Sequence, residues 1–392
     1  MKKILGLTSI RSDYDLLSPL YRLLNDDPAI DFRLLVTGAH LSKTFGNTIK
    51  LIESDSFKIL AKLETLLDSD SEKSRLKSAA IMLISAIDVV SDFKPDVILF
   101  AGDREDVMVG ALLGTYLYIP TIHFYGGDHT QTGHVDDHIR HSISKLSTYH
   151  FVSNEEHKKR LICIGESPER IFNIGSISLD RFYGHSGFAP SDLSDVFKLQ
   201  KMPHKYALVI YHPMKRSKDN DKFGFKNILD VLENNNIPAF ISYPNSDPGN
   251  WEIIEIAKEY AMKDNFYFFK TLEKDVFMSL YKSATFQIGN SSSGIMESAS
   301  IPIPAINVGE RQKGRRANPN VIFCKQDIGD IQEAILKATS NKFLNEIKGI
   351  KNIYGKGNSA KLAYKLIKEI SFEECFFKTE DPLFIRKNKR KN

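Results

Sequence analysis

Apolar positions along the chain fall into short runs separated by longer amphipathic stretches. Ile4 to Thr8 predicts a buried strand, and residues 13–25 follow with Leu16, Leu17, Leu20, Leu23 and Leu24 at helical spacing. Phe32 to Val36 predicts a second strand. A long helix over about 71–93 begins behind the N-cap candidates Asp70 and Ser71. Val97 to Phe100 predicts a strand ending at Gly102-Asp103-Arg104, then a helix over about 104–117 closed by Pro120. Thr121 to Phe124 predicts a strand, followed by a helix at 136–145, a strand at 149–152 and a helix at 154–164. This alternation is the signature of a parallel sheet wound on both faces.

The polar stretch HSGFAPSDLSD (185–195) interrupts the pattern and reads as an interdomain linker. A second alternating run follows. Its strands are expected at 206–211, 239–242, 266–269, 285–288 and 303–306, and its helices at 220–234, 251–262, 273–282, 293–299 and 327–338. The expected fold class is α/β, with two Rossmann-like domains facing a cleft. The first covers 1–184 and the second 185–357, with a C-terminal helix over about 358–380 packing back on the first and a basic tail at 386–392. Ligands in such folds bind at the carboxyl ends of the strands.

Composition narrows the classes. The chain has 392 residues, 42% hydrophobic and 26% charged, which excludes disordered, collagen-like and low-complexity proteins. Its net charge is +4, but Arg386, Lys387, Lys389, Arg390 and Lys391 carry five positive charges at the end. The first 385 residues therefore hold about −1, so total charge gives no reason to expect nucleic acid or a membrane as partner. Cys163, Cys324 and Cys375 are sparse and far apart, which fits a reducing compartment and no thiolate zinc site. The N-terminal apolar run breaks at Thr8 and Ser9, too short for a signal peptide, and no 20-residue apolar span exists. A cytoplasmic location is expected.

Candidate chemistry gathers after the expected strands. GNSSSG (289–294) runs from a strand into a helix and presents backbone N–H groups and hydroxyls of Ser291, Ser292 and Ser293, with Gly294, to an anion. Glu297, one turn on, is placed to accept from ribose hydroxyls. The segment lacks GK[ST], so it is not a Walker A loop. Asp103, Asp128 and Asp136 sit on loops of the first half, where carboxylates can serve acid–base chemistry on a sugar. Arg11 and His212 are candidates to neutralise a leaving diphosphate. His123, His129, His134, His138 and His141 crowd the same loops without metal-ligand spacing, and neutral hydrogen-bonding roles are expected.

These pieces resemble the UDP-N-acetylglucosamine 2-epimerase family, in its hydrolysing branch. They are SIRSDYD (9–15), VTGAHLSKTFG (36–46), AGDRED (101–106), GGD (126–128), DDHIRHSISKLS (136–147), GSISLDR (175–181), YHP (211–213), YPNSDPG (243–249), GNSSSGIME (289–297) and RQKGRRANPNVI (311–322). The ordered set spans almost the whole chain. The resemblance implies a glycosyltransferase-B-like fold and a homodimer through the first domain. It implies anti elimination of UDP to a 2-acetamidoglucal and addition of water to give N-acetylmannosamine, with no required metal or nicotinamide. By position, Arg11, Asp103, Asp128, Asp136 and His212 would be the catalytic set. Ser291, Ser292 and Glu297 would hold diphosphate and ribose, with Arg311 and Arg315 lining the cleft.

The family usually has GGE where this chain has Asp128, and the spacing to the next acid is one residue longer here. Related enzymes of the branch act on 2,4-diacetamido-trideoxy sugars towards legionaminic acid rather than on the route to sialic acid. Two other classes compete: a glycosyltransferase of the same fold, and a non-catalytic nucleotide-sugar sensor. The three acids speak against the glycosyltransferase.

Overall fold

The computed structural model describes residues 1–69, 71–133, 135–183, 190–213, 221–244, 249–270, 272–372 and 378–387. Asp70, His134, Cys375, residues 185–189 of the expected linker, 245–248 of YPNSDPG and 388–392 of the tail lie outside the described residues.

Strands whose residues are all buried form the middle of two parallel sheets. The first sheet contains β1 (Lys2–Thr8), β2 (Ile30–Thr37), β3 (Ile59–Leu63), β4 (Val97–Ala101), β5 (Thr121–Phe124), β6 (Tyr149–Val152) and β7 (Ile171–Asn173). Their order is β3-β2-β1-β4-β5-β6-β7. The second contains β8 (Ala207–Ile210), β9 (Ala239–Ser242), β10 (Phe266–Phe269), β11 (Phe286–Gly289), β12 (Ala305–Val308) and β13 (Val321–Cys324), in the order β10-β9-β8-β11-β12-β13. The strand order reverses between β1 and β4 in one sheet and between β8 and β11 in the other. In each case this opens a crevice at the carboxyl ends, where neighbouring crossovers leave on opposite faces.

Both faces of the first sheet are covered, so successive residues on one strand serve different cores. Ile4, Leu99 and Ile122 pack with Leu17, Leu20, Tyr21 and Leu24. Leu5, Ile98 and Phe100 pack with Met82, Ala86 and Val90 from the long helix Glu72–Phe93. The second sheet has its own core around Val209, Ile241, Ile288, Phe225 and Leu229.

The chain divides into two units. One is Met1–His129, Gly133–Asp180 and the stretch from Tyr354 onward; the other is Thr130–Thr132 and Arg181–Ile353. The helix Ser359–Glu369 belongs to the first, where Ala360, Ala363 and Ile367 join its core. Both ends of that helix are satisfied by residues far away in sequence. Asp180 accepts from the Ser359 and Ala360 N–H groups at 3.0 and 2.7 Å. The Lys2 ammonium donates to the carbonyls of Ile367, Lys368 and Ile370 at 2.9, 3.2 and 3.1 Å. Both charges suit the helix dipole at the end they occupy.

Three expectations need correction. The linker reading of 185–195 fails from residue 190 on, where Pro190–Val196 is helical. Proline is a natural first helical residue, so its presence marked a start rather than a break. The helix after GNSSSG is also shorter than expected. It spans Ser292–Met296 and tightens into a 3-10 turn at Ser298–Ser300, ahead of Pro302 and Pro304. Finally, β3, β7 and β13 had no counterpart in the sequence reading. All three are edge strands, partly exposed, so they lack the all-buried run that betrays an interior strand.

Replacing Asp180 with Ala should lower unfolding stability by about 1–2 kcal/mol through the lost cap. Asp180→Asn, which keeps one acceptor oxygen, should lose roughly half of that. Chemical denaturation of the two variants checks the ordering.

Candidate active site

In the first unit, the residues flanking the crevice between β1 and β4 are Ser9–Arg11 and Gly102–Arg104. Asp13 fixes the first of these loops. Its carboxylate accepts from the Ser9 and Ile10 N–H groups at 3.0 and 3.1 Å and from the Thr8 hydroxyl. Burial raises the Asp13 carboxyl above the usual range, and the Asp106 charge adds to this. Thr8 also meets His40 Nε2 at 2.9 Å, while His40 Nδ1 meets Thr48 Oγ1 at 2.8 Å. Burial lowers the His40 pKa to about 4, so the ring is neutral. Arg11, the first residue of the helix Arg11–Asn25, has its Nε 3.4 Å from Asp15.

The acids sit on the next loops and share a buried cation. Arg140, 3% exposed, lies on the helix Val135–Leu146. Its guanidinium donates to Asp103, to Asp137 Oδ1 at 2.6 Å and to the Asp128 carbonyl at 3.2 Å. Burial disfavours its charge, but Asp103, Asp128 and Asp137 together more than offset this and raise its pKa. The Asp128 carboxylate lies 3.3 Å from His157 Nε2. Asp136 points elsewhere, 3.8 Å from Arg75, which also binds Glu105 at 2.6 Å. The structure therefore gathers Asp103 and Asp128 around Arg140 and sets Asp136 on an adjoining charge cluster.

The GGD turn explains this packing. A Cβ on Gly127, whose φ is +78°, would lie 2.4 Å from the His157 carbonyl, and one on Gly126 would crowd Ser144 and His123. His123 Nε2 donates to the Gly102 carbonyl at 2.8 Å, and Nδ1 lies 3.0 Å from Ser144 Oγ. The carbonyl can only accept, which fixes the Nε2–H tautomer. Burial drives the His123 pKa down to about 3. Of the other loop histidines, His129 and His141 stack with centroids 5.6 Å apart. Among the described residues no group of three or more His, Cys, Asp or Glu side chains is arranged to hold a metal ion.

In the second unit the crevice between β8 and β11 is organised by Asn290. Its side chain accepts from the His212 N–H at 2.8 Å and donates to the His212 carbonyl at 2.8 Å. Its own carbonyl accepts from Arg311 Nη1 at 3.1 Å and Gln312 Nε2 at 2.9 Å, and Arg315 Nη1 donates to Gln312 Oε1 at 2.7 Å. One residue thus ties His212, Arg311 and Arg315 to the GNSSSG loop. Gly289, at φ +142°, allows the approach: a Cβ there would lie 2.0 Å from the Ile210 carbonyl.

Two of the three serines are used internally. Ser291 caps the Ser293 N–H at 3.3 Å, and the Ser293 hydroxyl meets Ser291 Oγ at 3.1 Å and Gln287 Nε2 at 2.8 Å. Ser292, half-buried, stands outside that network. Glu297 is buried and binds Arg181 Nη2 at 2.8 Å, so one of its oxygens is held by a guanidinium.

The family described as UDP-N-acetylglucosamine 2-epimerase matches residues 22–368. This chain belongs to that family. Among curated relatives it is 34% identical over 374 residues (94% of this chain, 96% of the relative) to UDP-N,N'-diacetylbacillosamine 2-epimerase (hydrolyzing) of Legionella pneumophila. It is 36% identical over 87% of this chain and 88% of the relative to the GDP/UDP-N,N'-diacetylbacillosamine 2-epimerase (hydrolyzing) of Campylobacter jejuni. To the polysialic acid biosynthesis protein P7 of Escherichia coli it is 32% identical, covering 94% of each chain. Among solved structures, UDP-GlcNAc 2-epimerase from Neisseria meningitidis bound to UDP-GlcNAc superposes with a TM-score of 0.81 at 17% identity, covering 94% of this chain and 100% of that one. The fold is therefore the glycosyltransferase-B-like α/β fold of these epimerases.

Sequence reasoning left four residues that organise these loops out of its candidate set. Arg140 shares a helix face with Asp137 and Ser144, a spacing that could have exposed it as a buried partner of the acids. Asn290 was quoted inside GNSSSG but overlooked as a hub. His157 and Arg181 carried no local signal, since each meets its acid only in the fold.

Two outcomes follow from the buried charges. Arg140→Ala strands Asp103 and Asp137 and should destabilise the protein by about 3–5 kcal/mol, measured by denaturant unfolding. His123 and His40 should stay neutral in the folded protein at pH 5, seen as unshifted ring signals by NMR. Unfolded chains protonate histidine near 6.5. These two rings therefore withdraw stability as pH falls from about 6.5 towards their folded values of about 3 and 4.

Proposed function

We propose that this chain is a hydrolysing UDP-sugar 2-epimerase acting on UDP-N-acetylglucosamine, in the synthesis of sialic-type acids and surface polysaccharide. The observation that carries the reading is buried Arg140, which binds the Asp103 carboxylate and the Asp128 main-chain carbonyl at the carboxyl ends of β4 and β5 and so sets both acids on neighbouring loops. That arrangement keeps an anionic acceptor ready beside a sugar.

In the first step a carboxylate of the set Asp103, Asp128 and Asp136 takes the C2 proton. The C–H electron pair forms the C1–C2 double bond, and the C1–O bond breaks with its electrons going to UDP. Asp103, ion-paired with Arg140, suits the acceptor role. Asp128, against His157 Nε2, suits proton delivery. Charge growing on the diphosphate is met by Arg11, His212, Arg311 and Arg315 and by the Ser291–Ser293 turn with Gly294; Glu297 takes the ribose. In the second step water adds at C1 and a proton returns to C2 from the other face. The product is N-acetylmannosamine and UDP. Elimination and hydration are redox-neutral, so the balance requires no nicotinamide. We place the enzyme in the cytoplasm, where nucleotide sugars are made, as a homodimer with no nucleic-acid or membrane partner; no helix among the described residues is long and apolar enough to cross a membrane.

A second substrate is favoured by one finding: the relatives at 34% and 36% identity are named for UDP-N,N'-diacetylbacillosamine. The same chemistry on that sugar gives a legionaminic-type precursor. Supplying each UDP-sugar separately in D2O decides the matter. UDP release with deuterium at C2 of the free product is expected from the true substrate. Product without that label would sink the elimination mechanism, and a requirement for an acceptor would indicate a glycosyltransferase. Asp103→Asn and Asp136→Asn should each cut kcat by about 100- to 10,000-fold while UDP still binds by calorimetry. A wild-type protein that binds UDP and never turns over either sugar would be a sensor.

A further inference from the structure

A chain of hydrogen bonds runs through the interior of the second unit and ends at the serine turn. It begins at Tyr281, fully buried on the helix Lys274–Ser283. The Tyr281 hydroxyl donates to Gln287 Oε1, on the interior strand β11. Gln287 is also buried, and its Nε2 donates to the Ser293 hydroxyl at 2.8 Å. Ser293 Oγ in turn lies 3.1 Å from Ser291 Oγ. Neither Tyr281 nor Gln287 has a part in the reaction as described above.

The capacities of these groups set the sense of the chain. A phenol has one proton to give, an amide oxygen only accepts and an amide nitrogen only donates. With the phenol proton on Gln287 Oε1, the amide N–H faces Ser293 Oγ, and Ser293 passes its own proton to Ser291 Oγ. Ser291 Oγ also receives the Ser293 N–H at 3.3 Å, so both of its lone pairs are taken. Its own O–H is then the end of the chain, and among the described residues no acceptor takes that proton. The opposite sense would turn the Ser291 proton inward. It would also move the phenol proton to the Ser293 carbonyl, 3.3 Å away, in place of the shorter bond to the amide. Burial and the Glu297 charge hold the Tyr281 phenol well above its usual pKa, so it stays protonated and remains a donor.

We propose that Tyr281 and Gln287 are positioning residues that fix the Ser291 hydroxyl as a hydrogen-bond donor to the diphosphate of the nucleotide. The inference rests on the reading above, in which the serine turn meets that diphosphate. A serine hydroxyl on its own rotates and can accept as readily as donate. Here its direction is set before the ligand arrives, which lowers the ordering cost of binding. Each donor in the chain also polarises the next. Ser291, with its lone pairs occupied, takes an acceptor only. That suits a phosphate oxygen and rejects a donor such as an ammonium group.

Calorimetry with UDP on the full-length protein tests this as a double-variant cycle. Ser291→Ala should raise the Kd for UDP about tenfold or more, as for a lost bond to a charged group. Tyr281→Phe keeps the ring contacts with Phe182 and Phe277 and should raise it about fivefold. In the Ser291→Ala background the same Tyr281→Phe change should alter Kd less than about twofold, because its route to the ligand is gone. Gln287→Met should follow the same pattern, and it replaces Tyr281→Phe in the cycle if circular dichroism shows that variant unfolded. A Tyr281→Phe effect of equal size in both backgrounds marks a purely structural role and overturns the inference. So does a Tyr281→Phe or Ser291→Ala variant that binds UDP like wild type. A wild type that binds no UDP overturns the nucleotide reading beneath it. No arm involves turnover, so the proposed reaction is judged separately.

Discussion

Carboxylates can be held close together in a protein interior only if a positive charge is buried among them. Arg140 is that charge. It satisfies Asp103, Asp137 and the Asp128 carbonyl from one guanidinium, and its planar fork ties two loops to its own helix at once. The glycines of GGD, the neutral His123 and the loop after β4 are arranged around it. Remove the cation and each of these would lose its reason to sit where it does. The charge that permits the acids to be packed is the same one that faces Asp103 across its ion pair.

The second unit is organised in a different way. Here the organiser is uncharged. Asn290 uses its amide to align the β8 loop and its carbonyl to align Arg311 and Gln312. A neutral hub costs little desolvation. The serine turn reads differently in this light. Ser291 and Ser293 bond to each other and so stiffen the loop.

Much of this was legible in the amino-acid pattern, and the gaps have physical causes. Interior strands such as Val97–Ala101 are buried on both faces and read as plain apolar runs; the edge strands Ile59–Leu63 and Val321–Cys324 are half wet and do not. Asp103 and His212 stood out because each directly follows an interior strand. Arg140 did not, because a single arginine on an amphipathic helix looks like any solvated residue until the loops around it close. Arg181 lies 116 positions before Glu297, and no local rule connects them. Pro190 was read as a breaker where it begins a helix.

The two-ended capping of the helix Ser359–Glu369 bears on how the protein is made. Lys2 and Asp180 precede Arg181–Ile353 of the second unit in the chain, and their partners on the helix Ser359–Glu369 and just after it follow that stretch. The usual order, in which the N-terminal domain finishes first, is therefore unavailable. The first sheet must wait, with Leu17, Leu20 and Leu24 lacking Ala360, Ala363 and Ile367 across their core, while the inserted unit folds. In a cell this is a window of chaperone dependence, and one that a late stop codon would leave permanently open.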